Sequence, residues 1–221
     1  MSNQAASRPP TLYILSAPSG GGKSSLARAL ADRAENIVTS VSHTTRPQRP
    51  GETDGVDYFF VDPARFEQMA KDDGFLEHAQ VFGHCYGTSR HAVEKAIKSS
   101  QSVLLDIDWQ GAQQVRATFK EAVSVYILPP SVEVLAQRLA DRGRETPEQI
   151  SARLDEAASE MSHYGEYDHI LVNSEFDQAL GELEALIHRG EPPESGRGFD
   201  VAALVDCAKS VRLKTSETAN L

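Results

Sequence analysis

One stretch near the N-terminus constrains the fold more than any other. The apolar run Leu12–Ser16 leads into a glycine-rich loop at residues 17–25, and helix-forming residues follow directly. Glycines allow successive backbone N–H groups to converge on an anion, and the start of the following helix adds partial positive charge. Lys23 can reach phosphate oxygens, and the Ser24 hydroxyl can bind Mg²⁺. The stretch therefore predicts a phosphate-binding loop (P-loop) between a strand and a helix.

One position departs from the strict P-loop pattern, because the chain has Ala17 where the pattern has glycine. A glycine-rich turn with an incidental Lys-Ser pair is the alternative interpretation. The order of strand, loop and helix favours phosphate binding, since this is the context in which such a loop binds nucleotides.

The rest of the chain alternates apolar runs typical of strands with patterns typical of helices. This alternation predicts an α/β fold with a parallel sheet, and 221 residues suffice for one domain with an insertion. The expected strands are 36–42, 56–61, 75–81, 103–108, 122–128 and 168–173, with loops at 44–52 and 86–88. The expected helices are 63–71, capped by Asp62, then 89–99, 110–119, 131–140, capped by Ser131, 146–164 and 176–188.

Composition excludes several classes of protein. The net charge of −10 argues against a general nucleic-acid-binding protein. Cys85 and Cys207 lie far apart without a Cys-x-x-Cys pattern, which argues against a disulfide framework or a zinc site. No apolar run is long enough to span a membrane, and residues 1–10 are expected to form a disordered, polar lead rather than a signal peptide. We therefore expect a cytoplasmic protein that gathers its arginines locally if it binds nucleotides.

Two groups of arginines meet this condition. Arg46 and Arg49 lie in a proline-stiffened loop, where guanidinium groups can bind one phosphate through paired hydrogen bonds. Tyr58 and Tyr86 could donate hydroxyls to the same phosphate, although a single tyrosine is more often a packing residue. The second group surrounds the end of the expected helix 131–140 and consists of Arg138, Arg142, Arg144 and Arg153.

Carboxylates at two further places are candidates for nucleotide chemistry. Asp106 and Asp108 end an apolar run two residues apart, which would put both on one side of a strand near the metal. A strand that simply ends in polar residues is the alternative.

Glu77 lies in a mostly apolar strand, either at a solvent-facing edge or in a site. In a site, the Glu77 carboxylate could accept hydrogen bonds from both donors of guanine's Watson–Crick edge, while the hydroxyl of Thr88 or Ser42 donates to O6. Adenine would leave the carboxylate unpaired.

Several separate stretches together resemble the bacterial guanylate kinases. They are SAPSGGGKSS (16–25), SVSHTTR (40–46), RPGE (49–52), DY (57–58), LDIDWQG (105–111) and MSHY (161–164), in order from about Leu12 to Ile187. Alanine is common in this family at the position of Ala17. The resemblance implies transfer of the γ-phosphoryl group of ATP to GMP. It also implies an α/β, three-layer P-loop kinase with a parallel sheet core, an inserted mixed α/β GMP-binding subdomain and a helical lid.

The resemblance also implies boundaries and site residues. The core would comprise 11–39, 90–139 and 165–189, the GMP-binding insertion 40–89 and the lid 140–164. The implied ATP-binding residues are Ala17, Ser19, Gly20, Gly21, Gly22, Lys23, Ser24, Ser25, Arg138, Arg142 and Asn173. The implied GMP-binding residues are Ser42, Arg46, Arg49, Tyr58, Glu77, Tyr86, Thr88, Asp106, Asp108 and Arg153. The implied catalytic residues are Lys23, Arg46, Arg49, Arg142, Arg144 and Arg153, with Mg²⁺ bound by Ser24, the ATP phosphates and water.

Two other functions compete with this one. A kinase of the same architecture for another small phosphate, such as a ribose bisphosphate, would not need Glu77, Thr88 and Asp108 together. A catalytically inactive, peptide-binding module of the same family would typically have a degraded P-loop, whereas Lys23 and Ser24 are present. ATP and GMP are therefore the expected partners, without nucleic acid or membrane, and the oligomeric state is left open.

The chain beyond residue 190 lies outside the resemblance. Residues 190–198 are rich in glycine, proline and glutamate, as in a linker. Apolar residues then recur at helical spacing from Val201 to Val211. They predict either a short helix that docks on the body or a partner, or a frayed tail.

Overall fold

The computed structural model describes residues 9–34, 36–81, 83–141 and 147–218. In chain order the strands are β1 (Leu12–Ser16), β2 (Ile37–Thr39), β3 (His43–Thr44), β4 (Phe59–Phe60), β5 (Phe75–Val81), β6 (His84–Ser89), β7 (Ser102–Asp106), β8 (Val123–Leu128) and β9 (His169–Val172). The helices are α1 (Lys23–Arg33), α2 (Pro63–Lys71), α3 (Arg90–Lys98), α4 (Trp109–Thr118), α5 (Val132–Ala140), α6 (Pro147–Met161), α7 (Phe176–Arg189) and α8 (Val201–Thr218). The chain is thus a mixed α/β protein, as the alternation of patterns predicts.

Two compact units make up the chain. The first comprises Arg33–Val123 with the chain up to Ile14, and the second comprises Leu15–Asp32 with the chain from Ser124 onwards. The strands of a five-stranded sheet follow the order β2-β7-β1-β8-β9, and the boundary between the units falls within β1. The predicted division into core, insertion and lid stays a prediction.

The first unit contains β2 and β7 as a parallel pair and a separate four-stranded sheet, in the order β4-β3-β6-β5. Strands β5 and β6 are antiparallel, and Glu77 lies opposite Thr88 in their register. Helix α4 is fastened to β5 because the Gln114 side chain accepts a hydrogen bond from the backbone N–H of His78 and donates one to its carbonyl. This pair of hydrogen bonds fixes the position of β5 relative to α4.

The second unit contains the parallel pair β8 and β9 and five helices, α1, α5, α6, α7 and α8. The apolar faces of α5, α6 and α8 share one buried cluster, to which α8 contributes Val201, Leu204, Val205 and Ala208. Residues 201–208 therefore form a docked helix, and a frayed tail is the wrong interpretation for them. The preceding linker is also fastened, since the Ser195 hydroxyl accepts from the Val172 N–H and donates to Glu182.

Two expected strands and one expected loop need correction. Strand β2 covers only Ile37–Thr39. Asn36 has a left-handed backbone (φ 64°) that does not fit a strand, and residues 40–42 connect β2 to β3. The strand expected at 56–61 is reduced to Phe59–Phe60, because a turn at Gly55 (φ 75°) occupies the preceding residues. The expected loop at 86–88 is instead part of β6.

The end of one strand and the end of one helix also differ from expectation. Strand β7 ends at Asp106, and Asp108 is the N-cap of α4 rather than a strand residue. Helix α6 ends at Met161, before the expected Tyr164, and a single 3₁₀ turn follows. Within the described residues, no helix is long and apolar enough to cross a membrane.

Candidate functional sites

The P-loop forms a tight turn between β1 and α1, in the second unit. The Gly21 N–H donates to the Pro18 carbonyl at 2.9 Å, and Gly20 has a left-handed backbone (φ 87°) inside this turn. Gly22 is also left-handed (φ 92°), and its carbonyl accepts the first hydrogen bond of α1, from Leu26 at 3.1 Å. Glycine adopts these conformations without the steric cost that a β-carbon brings, which explains the glycine run.

Two side chains distant in sequence hold this turn. Asn173, only 3% exposed, donates from Nδ2 to the Gly21 carbonyl at 3.0 Å. Glu160 of α6 accepts from the Ser19 N–H at 2.9 Å through Oε2. A β-carbon on Gly22 would collide with the Asn173 amide, so only glycine fits beside it. The predicted ATP-binding residue Asn173 thus lies directly against the P-loop, and Glu160 is a contact that the sequence patterns do not signal.

Arg138 belongs to the same neighbourhood. Its Nη2 donates to the Asn173 carbonyl at 2.8 Å. Burial lowers the pKa of Arg138, and its Nη1 is buried without a hydrogen-bond partner among the described residues. A guanidinium nitrogen in this state favours an anionic ligand, because a buried donor without an acceptor is costly.

The first turn of α1 carries the remaining P-loop side chains. Lys23 is partly buried, whereas Ser24 and Ser25 are exposed. No group of three or more His, Cys, Asp or Glu residues in the described parts of the chain is arranged to hold a metal ion. Mg²⁺ bound to nucleotides usually takes most of its ligands from phosphates and water, and one exposed hydroxyl such as Ser24 fits that pattern.

The arginines expected in the lid are only partly described. Arg153 lies on α6 and is partly buried. Arg142 and Arg144 lie outside the described residues.

A buried carboxylate–hydroxyl pair lies in the four-stranded sheet of the first unit. Thr88 Oγ1 donates to Glu77 Oε1 at 2.6 Å, and the two residues are 0% and 4% exposed. The register between β5 and β6 shifts between Phe75 and Glu77, which is the mark of a β-bulge. Directly opposite residues share a face of a sheet, so the bulge aligns Glu77 with Thr88. Tyr86, two residues from Thr88 on β6, shares that face.

Helix α4 packs closely against the same carboxylate. A β-carbon on Gly111 would lie 2.5 Å from Glu77 Oε2 and 3.4 Å from Asp108 Oδ1. Asp108 Oδ1 accepts from the Gly111 N–H at 2.9 Å, and Asp108 Oδ2 accepts from Gln110 Nε2 at 3.0 Å. Asp108 therefore lies near Glu77 through its role as a helix cap, and Asp106 is the last residue of β7. Gly111 is a further residue whose importance the sequence patterns do not signal.

Arg46 is the best-fixed arginine of the predicted phosphate clamp. It is 8% exposed and binds Glu52 bidentately, at 2.7 Å (Nη2–Oε1) and 3.0 Å (Nη1–Oε2). Its guanidinium lies over the Tyr58 ring, 5.2 Å from the centroid. Hydrogen bonding to Glu52 raises the pKa of Arg46, and the same bond holds the pKa of Glu52 below its ordinary value. Glu52 ends the RPGE stretch (49–52), and the sequence patterns do not signal its contact with Arg46.

The other predicted clamp residues lie near Arg46. Arg49 is exposed, and its backbone N–H donates to Glu52 Oε2 at 2.8 Å. The Tyr58 and Tyr86 rings are 6.0 Å apart, and Ser42 accepts a backbone hydrogen bond from Phe59. The first unit thus brings the predicted clamp and tyrosines together beside the sheet that carries Glu77.

Comparisons with known proteins agree on one family. The sequence model of the guanylate kinase family matches residues 9–190. The guanylate kinase of Chromohalobacter salexigens is 56% identical over 178 residues, which are 80% of this chain and 83% of that protein. The guanylate kinase of Alkalilimnicola ehrlichii is 55% identical over 190 residues, covering 84% of this chain and 94% of its own. The crystal structure of guanylate kinase from Anaplasma phagocytophilum matches with a TM-score of 0.69 and 34% identity, over 90% of this chain and 94% of that one.

Proposed function

The chain belongs to the guanylate kinase family, and from that premise we propose how its residues divide the work of the reaction. It is an ATP:GMP phosphotransferase, which transfers the γ-phosphoryl group of ATP to GMP and yields ADP and GDP. The residues of the second unit would bind ATP, and those of the first unit would bind GMP.

The observation that carries the GMP assignment is the buried Glu77–Thr88 pair. Guanine presents N1–H and the 2-amino group side by side, and a carboxylate can accept from both. A buried carboxylate that lacks such donors is costly, so GMP is favoured over nucleotides whose bases offer no adjacent donors. Thr88 has one hydroxyl proton, and it points at Glu77. Thr88 would therefore orient the carboxylate, and Ser42 is the better candidate for donating to guanine O6.

The phosphate of GMP would be bound by Arg46 and Arg49. Glu52 supports this role for Arg46, because a bidentate partner holds the guanidinium in one orientation before substrate arrives. Tyr58 and Tyr86 would add hydroxyls to the same phosphate. An oxygen of that phosphate is already anionic, so it needs no strong general base to act as the acceptor.

The phosphates of ATP would be bound by the turn at residues 17–25, with Lys23 as its full positive charge. Mg²⁺, when bound at Ser24, supplies further positive charge to the phosphate oxygens. Arg138 and Arg153, with Arg142 and Arg144, would neutralise the charge of the transferred group. Phosphoryl transfer depends mostly on such positioning and charge stabilisation, so the proposed assignment needs no side chain to form a covalent intermediate.

The decisive experiment measures ADP release from Mg·ATP with GMP, AMP, CMP, UMP or ribose 1,5-bisphosphate as acceptor. We expect turnover with GMP and at most a trace with the others. Glu77→Gln should raise the KM for GMP by about tenfold or more, because the NH₂ group of the introduced glutamine would face guanine donors. The KM for ATP should stay unchanged. Turnover with the sugar phosphate, or equal losses for GMP and ATP in Glu77→Gln, would contradict the assignment.

A further inference from the structure

The peptide unit between Pro18 and Ser19 is hydrogen-bonded at both of its ends. Its carbonyl accepts from the Gly21 N–H at 2.9 Å, which closes the turn of the P-loop. Its N–H donates to Glu160 at 2.9 Å. A trans peptide is planar, with its C=O and N–H pointing in opposite directions. Fixing the N–H from one side therefore fixes the carbonyl that closes the turn on the other.

The support that Glu160 gives is rigid. Its helix, α6, buries Ala157, Ala158 and Met161 in the cluster shared with α5 and α8. The carboxylate thus extends from a packed helix rather than from a loop. The turn also rests on α5, since a β-carbon on Gly20 would lie 3.0 Å from Leu135 and 3.1 Å from Leu139.

We propose that Glu160 is a positioning residue for ATP binding: by accepting the Ser19 N–H, it holds the peptide of residues 18–19 in the orientation that keeps the P-loop closed. This proposal rests on the proposed function, because it concerns the site assigned to ATP. In this role Glu160 does not itself bind the nucleotide. Without its acceptor, the peptide can rotate, and the loop must be reordered each time ATP binds.

The charge of Glu160 has an opposite effect that the experiment must separate. A carboxylate near a phosphate site repels the polyanionic ligand, so neutralising it alone would favour ATP binding. Glu160→Gln and Glu160→Met are both neutral and of similar length, but only glutamine keeps a strong oxygen acceptor for the Ser19 N–H. The comparison between these two variants therefore isolates the hydrogen bond from the charge.

The test measures Mg·ATP and GMP dissociation constants of each full-length variant by titration calorimetry, with thermal unfolding as a check on folding. We expect Glu160→Met to bind Mg·ATP about tenfold more weakly than Glu160→Gln, with GMP affinity equal in the two. Glu160→Gln should bind Mg·ATP as well as the unmodified protein or better. The matched pair Glu156→Met and Glu156→Gln, at an exposed position of α6, should bind Mg·ATP equally.

Equal Mg·ATP affinities for Glu160→Met and Glu160→Gln would overturn the proposal. So would parallel losses of ATP and GMP affinity in Glu160→Met, since these would indicate general damage rather than loss of loop positioning. Failure of the unmodified protein to bind Mg·ATP at all would instead contradict the assignment of the second unit to ATP, and the two failures are thereby distinguishable.

Discussion

Replacing Gly111 by alanine should damage GMP binding without damaging the fold. The added β-carbon would lie 2.5 Å from Glu77 Oε2, whereas an ordinary contact between carbon and oxygen needs about 3.2 Å, so the carboxylate must move by roughly 0.7 Å. Motion away from α4 by that amount removes Glu77 from its 2.6 Å hydrogen bond with Thr88 or distorts the bond strongly. One hydrogen bond to a charged group contributes about 1.5–3 kcal/mol, so GMP affinity should fall roughly tenfold to a hundredfold.

The effect on stability should be smaller than the effect on binding. Alanine is the better helix former by about 1 kcal/mol, and this gain offsets part of the cost of the displaced carboxylate. Gly181→Ala provides a matched control, because Gly181 lies within α7 and a β-carbon there would have nothing within 4 Å. We expect the control to be slightly stabilised and to bind GMP normally.

The assay combines GMP titration calorimetry with steady-state kinetics at saturating Mg·ATP and with thermal unfolding of both variants. Gly111→Ala should show a raised dissociation constant and KM for GMP, an unchanged KM for ATP and a melting temperature close to that of the unmodified protein. A Gly111→Ala protein that folds normally and binds GMP with unchanged affinity would refute the reasoning, because Glu77 would then not need its present position.

Three further changes have defined outcomes. Thr88→Val removes the donor to Glu77 in nearly the same volume, so the KM for GMP should rise about tenfold in the kinetic assay while the KM for ATP stays constant. Glu52→Gln removes a carboxylate whose pKa the hydrogen bond from Arg46 lowers, so it should cost about 1–2 kcal/mol of unfolding free energy near neutral pH. That difference should disappear as the pH falls from about 4.5 through the lowered pKa, since the unmodified carboxylate is then protonated, and denaturant titrations at several pH values measure it. Leu204→Ala should destabilise the protein by about 2 kcal/mol in the same titrations, because Leu204 is 7% exposed in the cluster of α5, α6 and α8, and no loss would mean that α8 does not dock.

Local signals made much of the fold predictable. Helix α2 begins after Asp62, whose side chain accepts from the Arg65 N–H, and α5 begins after Ser131 in the same way. The sequence predicts both caps, because an N-cap acts within a few residues and leaves a local pattern. The P-loop is equally local: its strand occurs at the expected residues 12–16, whereas α1 begins at Lys23, inside the expected loop 17–25. The predicted roles of its side chains in binding ATP stay predictions.

Features that depend on contacts between distant parts of the chain could not be predicted from such local patterns. The sequence predicts Asp108 on a strand beside Asp106, because an apolar run does not show where the backbone leaves the sheet. Its position before α4, with its side chain on the N–H three residues later, is a capping pattern that could have corrected the strand. Glu160 meets the P-loop only through the fold, and no pattern in the sequence links it to the loop. Asn173 also meets the loop through the fold, and only the family resemblance implies its place near ATP.

The β-bulge before Glu77 shows most clearly why the regular alternation of side chains along a strand does not predict the proposed GMP site. In a regular strand Phe75 and Glu77 would share one face, and the phenyl ring and the carboxylate would compete for the same environment. The extra residue of the bulge puts Phe75 opposite Ser89 but Glu77 opposite Thr88, so the two side chains lie on different faces. Phe75 then stacks on Phe66, while Glu77 meets Thr88 and α4. Gly87 makes this arrangement possible, since a β-carbon there would lie 2.9 Å from the Phe75 ring. The irregularity that sequence periodicity could not predict is therefore what separates the packing face of β5 from the face that carries the proposed base-recognising carboxylate.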